Sequence, residues 1–289
     1  PYKAAAGVIA ELGIPAGATI DLPAVTPYPM YIEYVEAMPD YDFRCVSGGS
    51  TVTAQTMRAI KDPGEMILYR QVSQLTDEVM ETLEAYVRDG SLTTEADMAL
   101  SIERLAREKF CEGTGFETLA AGPSRSFGIH AFPAYTAAAF ASPGMSILDF
   151  GLSWHGYTSD VTMTFLRGTL NARQEKMVSL VQKAHDKALD MCRPGVKSRD
   201  VARMVDELFA AEGFTMPHAL GHGIGLEAHE APAVRNRDDN EWVLTPGHVI
   251  TIEPGLYDPE LGGVRLENDV LITEDGNQLL THSHFVRLR

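Results

Sequence analysis

Two pairs of amphipathic segments at helical spacing, each followed by short apolar segments, dominate the pattern of hydrophobic positions along the chain. The predicted helices run over about 62–87, 93–110, 172–192 and 198–211. The apolar segments that read as strands are 117–121, 146–149, 161–165, 249–252, 255–257 and 264–273. Because the order helix, helix, strands occurs twice, the pattern predicts an α+β fold with two similar halves around a shared antiparallel sheet.

Residues that favour helix starts and stops mark the ends of these helices. Asp62-Pro63-Gly64-Glu65 combines a capping Asp, a Pro at the first helical position and the Glu of a capping box. Asp89-Gly90 stops this helix, Thr93 and Thr94 can cap the next one, and Gly213 ends the fourth.

The first part of the chain has a different pattern of shorter elements. It predicts helices over 2–12 and 27–37 and strands over 19–22 and 41–46, and Ser47-Gly48-Gly49-Ser50 then interrupts the pattern. Four short elements cannot bury a sufficient core alone. We therefore expect residues 1–52 to be the C-terminal part of an incomplete N-terminal domain, and residues 53–289 to form a separate, larger domain.

Composition and charge exclude several classes of protein. The chain has 289 residues and a formal charge of −16, from 24 Lys and Arg against 40 Asp and Glu, which disfavours binding to nucleic acid or anionic lipid. No apolar run approaches the roughly 18–20 residues of a membrane span, and no secretory signal is visible. The three cysteines, Cys45, Cys111 and Cys192, fit no disulfide framework, so a cytoplasmic location is expected, with Cys111 and Cys192 buried.

Carboxylates occur within or beside apolar strand segments at four places. These are Asp149, Asp160, Glu253 and Glu267. A carboxylate inside a core is costly unless it is paired or bound to a metal. One such residue would be an ordinary structural carboxylate, but four of them indicate a site.

Three histidines lie in a glycine-rich segment of the same part of the chain, at His218, His222 and His229. Four carboxylates with one neutral imidazole carry four negative charges, which two divalent cations neutralise. Oxygen ligands with a single His suit Mn²⁺, Co²⁺, Fe²⁺ or Zn²⁺ in a carboxylate-bridged pair. Because two such ions can hold a hydroxide and polarise a carbonyl, the residues favour metal-dependent hydrolysis.

The motifs around these residues resemble those of the pita-bread metallopeptidases (family M24), which include methionine aminopeptidase, Xaa-Pro aminopeptidase, prolidase and creatinase. The resembling segments are Asp149-x-Gly151, Gly156-Tyr157-x-Ser159-Asp160-x-Thr162, His218-x-x-Gly221-His222-x-x-Gly225-Leu226-x-x-His229-Glu230, Pro246-Gly247, Thr251-Ile252-Glu253-Pro254-Gly255-Leu256-Tyr257 and Gly263-x-Arg265-x-Glu267-Asn268. The resemblance covers about 55–289, and the segment 251–257 favours the Xaa-Pro aminopeptidase and prolidase branch.

The resemblance implies the pita-bread fold, with two pseudo-symmetric halves around a curved antiparallel sheet and a catalytic domain over 53–289. It also implies two divalent metal ions per chain, with Mn²⁺ expected and Co²⁺, Zn²⁺ or Fe²⁺ as alternatives. The implied ligands are Asp149, Asp160, His222, Glu253 and Glu267, of which Asp160 and Glu267 would bridge both ions.

The resemblance also implies roles for residues around the metals. Glu253 would move protons, His229 would stabilise the tetrahedral intermediate or hold the substrate carbonyl, and His218 would line the same pocket. Arg265 would orient ligands or meet a substrate carboxylate. His130 would contact the substrate.

The sequence departs from the family pattern at two places. Met163 stands where the family often has Arg or Lys, and His130 follows Gly122 by eight residues rather than seven, with Ser124 in place of Asn. Both departures concern the substrate pocket rather than the metal site. Outside the motifs, His185 lies on a predicted helix and is expected to be solvated.

We therefore predict a dinuclear metal-dependent hydrolase that cleaves peptides or dipeptides next to proline, as an Xaa-Pro aminopeptidase or an Xaa-Pro dipeptidase. The alternative is a small-molecule enzyme of the same fold, an amidohydrolase or lyase acting on a zwitterion. A metal-free binding module is a third hypothesis. In relatives of this branch an N-terminal domain often builds a dimer, so a homodimer is expected.

Overall fold

The computed structural model of the chain describes residues 2–47 and 50–288, and its side chains from residue 53 onward in the second range. The helices are α1 (Tyr2–Glu11), α2 (Tyr28–Ala37), α3 (Ser50–Ala59), α4 (Pro63–Asp89), α5 (Glu95–Glu108), α6 (Ala172–Met191) and α7 (Ser198–Ala210). The strands are β1 (Thr19–Pro23), β2 (Asp42–Val46), β3 (Gly113–Thr114), β4 (Leu119–Ala121), β5 (Gly144–Phe150), β6 (Leu152–Trp154), β7 (Tyr157–Thr158), β8 (Val161–Arg167), β9 (Gly221–Gly223), β10 (Glu230–Val234), β11 (Val249–Ile252), β12 (Gly255–Asp258), β13 (Gly262–Arg265), β14 (Asn268–Ile272), β15 (Asn277–Leu279) and β16 (Val286–Leu288).

The chain divides into two compact units, residues 1–57 and 58–289. In the first unit, β1 and β2 pair in parallel, with α2 as the connection between them, and Ile9, Met38 and Phe43 form the centre of a small core. The four elements of this unit lie where the sequence predicts them, whereas Gly48 and Gly49 of the predicted break lie outside the described residues. Helix α3 was not predicted, because three Thr and one Val among its ten residues lower its helix propensity.

One half of the second unit is built from α4 and α5 on a four-stranded sheet in the order β16-β8-β5-β4. β5 pairs with both β4 and β8 in antiparallel fashion, and β16 adds in parallel to β8. α4 begins at the predicted capping box of Asp62 with Glu65, and α5 begins at Thr94, one of the two predicted capping residues, in a capping box with Asp97. The apolar faces of these helices and the inner face of the sheet enclose one hydrophobic core.

The other half packs α6 and α7 on a five-stranded sheet in the order β10-β9-β11-β14-β15, with the hairpin β12–β13 beside it. Its core is separate and includes Val181 and Phe209 from the helices and Ile250 and Val270 from the sheet. The repeated order of helix pair and sheet predicted from the sequence is therefore present, with one core in each half.

The two halves meet at an isolated backbone bridge between Thr162 in β8 and Glu267. The single strand predicted over 264–273 is wrong, because β13 ends at Arg265 and β14 begins at Asn268. Between them the chain leaves the β12–β13 hairpin, and the Glu267 amide donates to the Thr162 carbonyl at 3.2 Å before β14 joins the larger sheet. The interruption places Glu267 at the seam between the halves.

His185 on α6 is buried, which contradicts the solvated position expected for it. Its Nε2 lies 3.2 Å from the Nδ2 of Asn268, and burial lowers its pKa to about 4. A neutral imidazole can therefore occupy this position, and helical spacing alone gave no sign of the buried amide partner. Cys111 and Cys192 are buried, as predicted.

Within the part of the chain that the structure describes, no helix combines the length and the apolar character that crossing a membrane requires.

Gly151 permits a close approach on which the positions of Asp149 and Asp160 depend. A Cβ at Gly151 would lie 1.8 Å from the carbonyl oxygen of Ser159, a contact that only a backbone shift could relieve. Gly151→Ala is therefore expected to lower the free energy of unfolding by about 1–3 kcal/mol, as overpacking does. Urea denaturation measures this change.

Gly276→Ala is the matched control, since a Cβ there would meet no atom within 4 Å. Its effect should stay within about 0.5 kcal/mol. Equal effects of the two substitutions would contradict the packing argument.

Candidate functional site

A cavity of about 510 Å³ lies at the seam between the halves of the second unit. All nine residues that the sequence singled out as site residues line it: His130, Asp149, Asp160, His218, His222, His229, Glu253, Arg265 and Glu267. The four carboxylates reach it from different elements and from distant parts of the chain. The fold thus brings together the whole predicted set.

Asp149 and Asp160 enter the cavity from neighbouring antiparallel strands. Asp149 is the penultimate residue of β5, and Asp160 directly precedes β8. Thr162 lies opposite Asp149 in the ladder, so the hairpin geometry brings both carboxylates to one end of the sheet. The Asp160 amide donates to the Oδ2 of Asp269 in β14 at 3.2 Å, and this hydrogen bond fixes the start of β8.

His222 faces two of these carboxylates with one ring nitrogen free. Its Nδ1 lies 3.0 Å from the carbonyl oxygen of Gly223, which requires Nδ1 to be the donor and leaves Nε2 as the unprotonated nitrogen. Nε2 lies 3.5 Å from Glu253 Oε1 and 3.7 Å from Asp160 Oδ2. Burial lowers the pKa of His222 to about 4, so the ring is a neutral donor atom near pH 7.

The carboxylates of the cavity repel each other in a dry environment. Burial, with the charge of Asp149 adding to it, raises the pKa of Glu253 to about 8, although Arg265 acts in the opposite sense. Burial followed by neighbouring carboxylates also raises the pKa of Asp160 and of Glu267 well above their usual range. Carboxylates therefore outnumber cationic side chains among the predicted site residues.

Arg265 is the one permanent cation among the nine predicted site residues, and its side chain is already engaged. It is 2% exposed, its Nη2 donates to Asp149 Oδ2 at 2.5 Å, and its Nη1 donates to the Tyr257 hydroxyl at 2.7 Å. Its Nε donates to Thr162 Oγ1 at 3.0 Å, and Thr162 Oγ1 in turn donates to Glu267 Oε2 at 2.6 Å. Of the two roles considered for Arg265, this geometry favours orientation of Asp149 and Glu267 over contact with a substrate carboxylate.

The donor atoms of the cavity fit divalent cations. One donor atom each from Asp160, His222 and Glu267 lies within 4.8 Å of the others. Asp149 Oδ1 is buried without a hydrogen-bond partner, a costly state for a carboxylate oxygen that a bound cation would relieve. Oxygen donors with a single imidazole match the preference of first-row divalent metals.

Three further histidines, His130, His218 and His229, border the cavity. The His229 ring lies 4.3 Å from the His222 ring, measured between centroids. His218 is held by the Tyr257 hydroxyl at 2.9 Å and by the Ala219 carbonyl at 2.7 Å, and burial lowers its pKa to about 4. His130 lies on an exposed loop at the mouth.

The two departures from the family pattern have different positions. Met163 is fully buried in the core under α4 and α5 and does not line the cavity, so it does not shape the pocket as expected. The loop over 122–136 does line it, through Ile129, His130 and Phe132, and Phe132 is 94% exposed. Of these two departures, only the loop over 122–136 borders the cavity.

Arg235 is a cavity residue that the sequence analysis missed. It directly follows β10, lines the cavity together with His229 and Ala233, and has a buried Nε without a hydrogen-bond partner. Its Nη2 lies 3.7 Å from Asp239 Oδ2, a weak contact that leaves the guanidinium available to a ligand. The matched motif stops at Glu230, and no strand was predicted over β10, so no signal in the sequence pointed to Arg235.

Comparisons with known proteins agree with this geometry. Residues 68–274 match metallopeptidase family M24. An Xaa-Pro dipeptidase from Pyrococcus horikoshii is 33% identical over 229 residues, which are 78% of this chain and 63% of that protein. The chain spans 62–63% of the length of the first two curated relatives that it matches.

Solved structures are similar over nearly the whole chain. The Xaa-Pro dipeptidase from Bacillus anthracis has a TM-score of 0.88 at 28% identity, covering 99% of this chain and 78% of its own. A dipeptidase from Pyrococcus horikoshii has a TM-score of 0.86 at 31% identity, covering 100% and 78%. These similarities confirm the predicted pita-bread fold. With almost three quarters of its residues matched, the chain belongs to metallopeptidase family M24.

Proposed function

We propose that this chain provides the active site of an Xaa-Pro peptidase that uses two divalent metal ions. The observation that carries the proposal is the single cavity that brings together Asp149, Asp160, His222, Glu253 and Glu267. The similar proteins named Xaa-Pro dipeptidase support the choice of substrate. The charge of the proposed ligand set supports two ions rather than one, because its four carboxylates carry four negative charges, which two divalent cations would neutralise.

The five residues would hold the ions, with Asp160 and Glu267 bridging them and Mn²⁺ as the expected metal. When bound, two such ions would supply Lewis acidity and make a hydroxide available near neutral pH. Arg265 and Thr162 hold Asp149 and Glu267 in fixed orientations, so these carboxylates need little rearrangement.

Glu253 is the proposed carrier of protons. One of its oxygens lies 3.5 Å from His222 Nε2 and the other 3.8 Å from His218 Nδ1, at the centre of the cavity. A carboxyl in this environment can accept a proton from water and give it to the leaving proline nitrogen. His229, beside His222, would donate a hydrogen bond to the carbonyl oxygen as negative charge develops there.

The walls of the cavity suit a proline ring and a terminal carboxylate. Phe116, Leu119 and Ile129 supply an apolar surface that a pyrrolidine ring can contact. Arg235 also lines the cavity, and its guanidinium makes no ion pair with the proposed metal ligands. A carboxylate placed there would belong to the residue after the cleaved bond, which favours Xaa-Pro dipeptides as substrates.

The small-molecule alternative loses one of the two observations that suggested it, because Met163 lies in the core. The altered loop over 122–136 remains compatible with it, so small zwitterions belong among the test substrates.

The first test combines turnover with metal content. Manganese-loaded protein should hydrolyse Xaa-Pro dipeptides and bind two ions per chain. Glu267→Ala should leave one ion or fewer and lower turnover by at least about a hundred-fold, because it removes a proposed bridging ligand. Atomic absorption and release of free proline measure both quantities.

Lys109→Met, which removes a partly buried ion pair with Glu78 that does not border the cavity, is the control and should change neither quantity. Two ions per chain in Glu267→Ala would refute the ligand assignment. Hydrolysis of zwitterionic small molecules without any Xaa-Pro turnover would refute the peptidase proposal.

A second prediction concerns Arg235. Arg235→Met should raise the KM for an Xaa-Pro dipeptide about ten- to hundred-fold, since a hydrogen bond to a charged group contributes roughly 1.5–3 kcal/mol. The KM for the corresponding Xaa-Pro amide should hardly change, because it has no terminal carboxylate. Steady-state kinetics on both substrates measure the difference.

Arg237→Met is the matched control, since Arg237 is exposed, pairs with Asp239 and does not line the cavity. An equal rise in KM for the dipeptide and its amide would exclude Arg235 as the carboxylate contact.

A third prediction concerns pH and metal removal. In the metal-free chain the pKa of Glu253 is about 8, far above its ordinary value of 4.5. The folded chain therefore binds more protons than the unfolded chain between these pH values, and its stability falls as pH rises through this window. A divalent cation replaces these protons, so the increase in Tm caused by Mn²⁺ should be larger at pH 8 than at pH 6.

Thermal unfolding of chelator-treated protein with and without Mn²⁺ gives the two increases. Glu253→Gln in the metal-free form should flatten the decline in Tm between pH 6 and pH 8, because it removes one titrating group. A larger increase in Tm at pH 6 would contradict the prediction.

A further inference from the structure

A buried ion pair lies directly behind the loop that carries His229. The Lys61 side chain is 1% exposed and the Glu230 side chain 4% exposed, with 3.4 Å between Lys61 Nζ and Glu230 Oε2. Arg58 adds a second cation on Glu230 Oε1 and lies 3.5 Å from Glu227. Taking such charges out of water is costly, and apolar side chains of similar volume often stabilise a protein as well or better. Stability alone therefore does not explain the Lys61–Glu230 pair.

The pair is joined to the His229 loop, which we define as residues 225–229. Glu230 Oε1 accepts the backbone N–H of Glu227 at 3.0 Å, so this side chain closes the turn that contains Ala228 and His229. Gly225 packs on the pair so closely that a Cβ there would lie 2.9 Å from Glu230 Oε2 and 3.0 Å from Lys61 Cε. The loop thus rests on both members of the pair.

Lys61 is itself fixed to the opposite side of the site. Its backbone N–H donates to the Gly247 carbonyl at 2.9 Å, and the neighbouring Ile60 forms a backbone bridge with His248, just before β11. β11 leads directly into Glu253. The Lys61–Glu230 pair therefore links the loop of His229 to the start of the strand that presents Glu253.

We propose that Lys61 and Glu230 are positioning residues that hold His229 at the reacting carbonyl. The proposal rests on the proposed function for the role of His229, but the closing of the loop can be measured without any reaction. A displacement of about 1 Å at a catalytic group can lower a rate by roughly a hundred-fold. The hydrogen bond from the Glu227 backbone N–H to the buried Glu230 carboxylate restrains the loop and would prevent such a displacement of His229.

The first measurement is hydrogen exchange of the amides in 225–230, followed by mass spectrometry on the manganese-loaded protein. Lys61→Met and Glu230→Gln should increase the exchange rate of this segment at least about ten-fold, whereas Lys109→Met should leave it unchanged. Lys61→Arg, which keeps a cation, should retain most of the protection. Unchanged exchange in both Lys61→Met and Glu230→Gln would overturn the proposal.

The second measurement is a double-mutant cycle with His229→Ala on an Xaa-Pro dipeptide. Lys61→Met should lower kcat about ten- to hundred-fold with little change in KM, two ions should remain bound, and Lys61→Arg should recover part of the rate. In the His229→Ala background Lys61→Met should have no further effect on kcat. A full effect in that background, or a loss of metal, would show that the pair acts elsewhere and would overturn the proposal.

The two measurements separate this proposal from the proposed function. If the unmutated protein hydrolyses no Xaa-Pro substrate, the proposed function fails, and hydrogen exchange still decides whether the pair closes the loop. If Lys61→Met does not fold, Glu230→Gln and Lys61→Arg carry both measurements.

Discussion

Electrostatic repulsion among buried carboxylates is the constraint on which the rest of this structure depends. Asp149, Asp160, Glu253 and Glu267 converge on one cavity, and only Arg265 among the predicted site residues opposes them with a permanent charge. Burial raises the pKa of Glu253, Asp160 and Glu267, which is how a protein relieves unpaired negative charge when no cation is bound. Divalent cations bound among these carboxylates would neutralise their excess negative charge and reduce the repulsion between them.

The surrounding structure keeps these groups from moving apart. Arg265 contacts Asp149 directly and Glu267 through Thr162, so one guanidinium orients carboxylates from both halves of the second unit. Gly151 allows the chain segments that carry Asp149 and Asp160 to approach within a distance that no side chain would permit. The hydrophobic cores under the two helix pairs provide the rigid support behind these contacts.

Local signals in the sequence predicted most of the fold and the composition of the cavity. The capping boxes at Asp62 and Thr94 define helix starts, because their hydrogen bonds are local. The break between β13 and β14 could not be predicted in this way, since it depends on the pairing of Glu267 with Thr162, which lies 105 residues away. The burial of His185 has the same kind of cause, because the Asn268 side chain that accommodates it belongs to another element.

The bridge between Thr162 and Glu267 joins two halves that each carry only part of the predicted ligand set. Asp149 and Asp160 belong to the first helix-and-sheet half, whereas His222, Glu253 and Glu267 belong to the second. A half that has folded alone holds an incomplete ligand set and cannot form the complete binding site. The full set of four carboxylates and one imidazole therefore exists only after both halves have docked, so a cation that needs all five groups could bind only to the completely folded unit.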